Sequence, residues 1–169
     1  MPEHEGETFD QAEIETLFLE AARDGQTDLV REFIAAGLSP DVTNDKGYTP
    51  LILAAYNGRA DTVKQLLESG ASVDKTDAKG ATALAGVAFK GDRPIAEILI
   101  AHGAAVDAVN SVGRTPLMFA VMFGRTDMAR YLLEAGADPD QKDGEGQSAR
   151  EMAVAQGHPD LLTLFGISS

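Results

Sequence analysis

Three histidines and 27 acidic residues are the side chains of this 169-residue chain that could hold a metal or move protons near neutral pH. His4, His102 and His158 lie far apart. His102 stands beside Gly103 and His158 before Pro159, places that suit helix ends and surface rather than a shared ligand set. The run ADPDQKDGEG gathers Asp138, Asp140, Asp143 and Glu145 and invites a calcium reading. A helix-loop-helix calcium loop needs a liganding fifth position and a glycine at the sixth. Counted from Asp138, those places hold Lys142 and Asp143, so the run is not read as a metal site. No G-x-x-x-x-G-K-[ST] loop, G-x-S-x-G elbow or H-E-x-x-H pair occurs. Paired carboxylates such as Glu13 with Glu15 are read as solvated surface. The expectation is therefore no catalytic site, no metal and no cofactor, hence not an enzyme.

Composition narrows the partners. Lysine and arginine number 14 against 27 acids, a formal net charge of −13. Phosphate backbones are held by cations that release counterions, and here cations are outnumbered and form no basic run. This argues against nucleic acid as the main partner, and none is expected. No stretch of 18 apolar residues is present, so a membrane partner is not expected. There is no cysteine, which removes disulfides and thiolate zinc sites and fits a cytoplasmic protein. The acidic start, MPEHEGETFDQAE, does not read as a signal peptide; residues 1–9 are expected to be a disordered tail.

Whatever this chain does must be positioned by a repeat. GYTPLILAAYNG begins at Gly47, GATALAGVAFKG at Gly80 and GRTPLMFAVMFG at Gly113, each 33 residues after the last. Three glycine series share that period: Gly47, Gly80, Gly113, Gly146; Gly25, Gly58, Gly91, Gly124, Gly157; and Gly37, Gly70, Gly103, Gly136. Each marks a turn that calls for positive φ. Between them the apolar spacing is helical. Leu51, Ala54 and Ala55 form one stripe, repeated as Leu84, Val87, Ala88 and as Leu117, Ala120, Val121. A second stripe, Val63, Leu66 and Leu67, repeats as Ala96, Leu99, Ile100 and as Ala129, Leu132, Leu133. The first helix of each unit is expected to start at Thr49, Thr82 and Thr115, whose hydroxyls can accept an orphan N–H. Pro50 and Pro116 follow at the first helical position. A unit of two short helices cannot bury both stripes alone, so neighbours must stack.

The motifs TPL, AA-x-x-G and LL-x-x-G-A, all in register, make residues 10–165 resemble the ankyrin-repeat family. The resemblance implies an all-α solenoid of paired antiparallel helices with hairpin-like turns. The expected division is an N-terminal capping repeat at 10–46, full repeats at 47–79, 80–112 and 113–145, and a C-terminal capping repeat at 146–169. The sequence departs from the family pattern in places. The usual TPLH histidine is replaced by Ile52, Ala85 and Met118, so a polar link becomes packing or is lost. In the middle repeat Ala83 replaces proline, and Gly86 stands inside the first helix at a cost of roughly 1 kcal/mol relative to Ala.

In the family, turn tips and first-helix ends line a concave face that binds partner proteins. Here those positions are Lys46 and Tyr48, Lys79 and Ala81, Val112 and Arg114 along the turns. Tyr56 and Asn57, Phe89 and Lys90, Met122 and Phe123 lie along the helix ends. The caps add Arg23, Asp24, Ala155 and Gln156. Tyr, Phe, Met and Arg are residue types favoured at interfaces. The expectation is a monomeric, non-catalytic interaction module for another protein. Lys46, Lys79, Lys90 and Arg114 point to an acidic or mixed-charge partner. Small stand-alone ankyrin proteins of bacterial type look similar in size, and some inhibit or protect a specific enzyme or toxin. An inhibitor or immunity role is the sharper alternative.

Overall fold

The computed structural model describes residues 8–168; His4 and most of the expected tail lie outside them. The described residues form ten α-helices. They run α1 (Gln11–Asp24), α2 (Thr27–Ala35), α3 (Pro50–Tyr56), α4 (Ala60–Glu68), α5 (Ala83–Lys90), α6 (Arg93–Ala101), α7 (Pro116–Met122), α8 (Thr126–Glu134), α9 (Ala149–Gln156) and α10 (Pro159–Leu164). Odd-numbered helices pack against one another in sequence, as do even-numbered ones, giving two layers.

The helix starts follow from their capping residues. Thr49, Thr82 and Thr115 accept from the backbone N–H of Ile52, Ala85 and Met118 at 3.1, 3.3 and 3.3 Å. Ser148 does the same for Glu151, whose carboxylate accepts from the Ser148 N–H. α1 begins at a reciprocal pair: Glu13 N–H donates to Asp10 Oδ1, and Asp10 N–H to Glu13 Oε2, both at 2.8 Å. Glu13 is thus a helix cap rather than plain solvated surface.

Both expected stripes are internal. Leu51, Leu84 and Leu117, with Ala54, Val87 and Ala120, are fully buried between first helices. Val63, Leu66, Ala96, Leu99, Ala129 and Leu132 fill the layer behind them, with Ile100 and Leu133 at its edge. Burying a leucine side chain is worth about 1.5–3 kcal/mol. The missing histidines are replaced by packing: Ala85 and Met118 are buried, and Met118 Sδ accepts from the Thr115 N–H at 3.4 Å.

The turns stack by backbone bonds. Ala78, Ser111 and Gly144 donate their N–H groups to the carbonyls of Lys46, Lys79 and Val112 at 3.0, 2.9 and 2.8 Å. This contact explains Gly47 twice over. Its φ is +76°, and a Cβ there would lie 2.6 Å from the Ala78 nitrogen.

Candidate functional site

Each turn is held by one side chain. Asn44, Asp77, Asn110 and Asp143 stand 33 residues apart, and the Oδ1 of each accepts two backbone N–H groups. The donors are Lys46 and Tyr48, Lys79 and Ala81, Val112 and Arg114, and Glu145 and Gln147, all at 2.8–3.1 Å. A second acidic series ties units together. Asp41, Asp74 and Asp107 accept from the N–H of Ser72, Ala105 and Asp138, each 31 residues on. The fourth member, Asp140, pairs instead with Arg150 at 2.7 Å. Much of the acidity is therefore spent on backbone hydrogen bonds.

These turns present the tips, and the first helices present their C-terminal ends. Tyr56, the last residue of α3, stacks on Phe89 in α5 with ring centroids 6.3 Å apart. Phe89 meets Phe123, the residue closing α7, edge to face at 4.5 Å. Tyr56 and Phe123 are 42% and 45% exposed, while Phe89 between them is half-buried. Such aromatic pairs contribute about 0.5–1.5 kcal/mol beyond their burial. The result is an aromatic ladder across three repeats with open ends. Arg125 fixes its middle rung by donating from Nε to the Phe89 carbonyl at 3.0 Å.

The other expected residues differ in role. Tyr48 and Met122 are half-buried, and Met122 packs against the core. Asn57 caps α3 and donates from its side chain to the Leu53 carbonyl at 2.8 Å. Lys90 lies over the Tyr56 ring, 4.4 Å from its centroid. Lys46, Lys79 and Val112 are exposed at equivalent turn tips. Arg114 departs from the expectation. It is two positions past its tip, only 28% exposed, and faces Asp143 with Nε 3.7 Å from Oδ2. It does not extend the basic row formed by Lys46 and Lys79. Among the cap positions, Arg23 pairs with Asp24 at 3.2 Å, and Gln156 donates to the Val121 carbonyl at 2.8 Å.

Three of the four acids of the candidate calcium run, Asp138, Asp140 and Asp143, are also committed. Asp143 is buried, and Asp138 Oδ1 accepts from the Asp140 N–H at 2.9 Å. The Gln147 N–H above all holds the Asp143 carboxyl below the usual carboxylate range, against burial that pushes it up. The Glu145 N–H and Arg114 assist. Among the described residues no group of three or more acidic, histidine or cysteine side chains could hold a metal. No helix among them is long and apolar enough to cross a membrane.

A family model described as ankyrin repeats matches in three overlapping copies, over residues 17–109, 61–143 and 87–165. The chain belongs to the ankyrin-repeat family. No match was found among curated proteins. Ankyrin repeats are generally protein–protein interaction modules, typically without catalytic activity of their own. In this ankyrin array the sequence legibly marks the ladder positions. In the sequence, the turn-holding role of Asn44, Asp77, Asn110 and Asp143 shows as nothing more than their common 33-residue spacing.

Proposed function

We propose that this ankyrin array is a non-catalytic cytoplasmic monomer that binds one partner protein through its concave face. The supporting observation is the open aromatic ladder Tyr56–Phe89–Phe123. A ladder needed only for folding would bury its ends, whereas both end rings remain open to solvent. Lys46 and Lys79 at the adjacent tips are exposed and form no ion pair among the described residues, which favours a partner with acidic groups beside its apolar anchor.

The ladder is packed ring on ring before any partner arrives. Such preorganisation lowers the ordering cost of association. It suits an inhibitor, immunity or protective role, in which the array covers a site on an enzyme or toxin. The test is affinity capture from the native cell with the unaltered chain and with Phe89→Ala plus Phe123→Ala, quantified by mass spectrometry. A protein captured by the first and lost by the second supports the reading, and its activity with and without the array tests the inhibitory role. Equal capture by both would refute the face assignment.

A further inference from the structure

Between the first two full repeats the same face opens into a cleft of about 400 Å³. Its walls include Tyr48, Ile52, Tyr56, Asp77, Ala81 and Gly86. The cleft exists because Gly86 stands where the adjacent repeats carry Leu53 and Phe119. A Cβ built on Gly86 would meet nothing within 4 Å except Tyr56 Cδ2, at 3.4 Å.

The fold contains its own comparison for this place. Two repeats further on, the residue equivalent to Tyr48 is Arg114, and the residue equivalent to Asp77 is Asp143. There the guanidinium faces the turn carboxylate across 3.7 Å. At Asp77, Oδ1 holds the turn by accepting from Lys79 and Ala81, but Oδ2 has no cationic partner among the described residues. The position that would supply the cation is a tyrosine, and the space beside it is open. Tyrosine faces support cations, as Lys90 over Tyr56 illustrates within this chain.

Resting on the concave-face reading, we propose that this cleft receives an arginine side chain of the partner. Its guanidinium meets Asp77 Oδ2, as Arg114 meets Asp143, and its aliphatic stem lies between Tyr48 and Tyr56 above Gly86. Arginine suits the site because its planar group both stacks on rings and forks onto a carboxylate. The exposed Lys46 and Lys79 beside it match acidic residues flanking that arginine, so the partner segment is of mixed charge.

The test uses N-acetyl-arginine amide as the probe, titrated into the full chain and followed by backbone amide NMR. Saturable shifts are expected at Asp77, Ala81 and Gly86, with a Kd on the order of millimolar. Asp77→Asn keeps the turn, since Asn44 and Asn110 do the same work, and should weaken binding about fivefold. Gly86→Leu should abolish it by filling the cleft. N-acetyl-citrulline amide, the uncharged isostere, should bind at least about fivefold more weakly, because it loses the same charge pair. Equal binding of citrulline, equal binding to Asp77→Asn, shifts centred elsewhere, or no saturable shift would each overturn the proposal. Those failures leave the ladder reading standing if capture still depends on Phe89 and Phe123. Loss of that dependence is a separate failure of the ladder reading.

Discussion

The rings of Phe89 and Phe123 meet edge to face across two repeats, with centroids 4.5 Å apart. One belongs to α5 and the other closes α7, so the contact both joins neighbours and leaves an apolar edge outward. Replacing both with alanine should weaken partner binding at least roughly 30-fold, the effect of losing about 2 kcal/mol at a hot spot. The far-UV circular dichroism of the variant should stay near that of the unaltered chain. A loss of helicity would mean that the rings serve the core.

Two glycines should respond to alanine with opposite sign. Gly86 is inside α5 with ordinary helical backbone, and an added methyl touches only the exposed ring of Tyr56. Gly86→Ala should raise the melting temperature by about 2–4 °C, the equivalent of roughly 1 kcal/mol in a chain of this size. Gly47→Ala should lower it, because that residue combines φ of +76° with the backbone of Ala78 at 2.6 Å. Thermal unfolding of the two variants side by side checks both signs.

Acid should loosen the C-terminal end. The Asp143 carboxyl lies below its ordinary value in the folded chain, chiefly through the Gln147 N–H. Its contribution to stability is therefore complete above the unfolded value, about pH 4, and is lost as pH falls from there through the folded value. Asp140 and Glu151 shift the same way, through Arg150 and Lys142 respectively. Hydrogen-exchange protection across residues 140–165, measured against the intrinsic rate at each pH, should fall below about pH 4 before protection in α3 and α5 does. Asp143→Asn, which retains the Oδ1 acceptor, should flatten that acid dependence. An unchanged acid profile would show that Asp143 carries none of it.

The basic tips should act on rate. Lys46→Glu with Lys79→Glu should slow partner association several-fold at low salt and much less at high salt, with dissociation little changed. Stopped-flow association at two ionic strengths measures this. Arg114→Gln should have little of that rate effect, because its charge faces Asp143. A faster association in the double variant would show that the partner is drawn to the acidic remainder of the surface.

The fold was legible because the repeat constrains backbone and core together. Thr49, Thr82 and Thr115 must cap, and Leu51, Leu84 and Leu117 must face the next unit, wherever the period places them. The ladder was legible for the same reason, since Tyr56, Phe89 and Phe123 fall at equivalent or adjacent helix ends. Side-chain direction was not. Arg114 counts as a groove cation by position, yet turns onto Asp143 of the next turn. The acids at 138–145 read as a loose cluster, but Asp138 and Asp143 accept from backbone N–H groups and Asp140 pairs with Arg150, ten residues on, which residue types alone do not reveal. The cleft beside Tyr56 follows from a side chain missing at Gly86, which in sequence reads only as a weak helix position.

The most direct measurement of the central claim is site-specific photocrosslinking in the native cell. A benzoylphenylalanine probe at Tyr56 or Phe123 samples the ladder, and one at Lys64 or Arg130 samples exposed positions of the second-helix layer. We expect one protein to be crosslinked from positions 56 and 123 and not from 64 or 130. Crosslinking of that protein from 64 or 130, with none from the ladder, would contradict binding through this face.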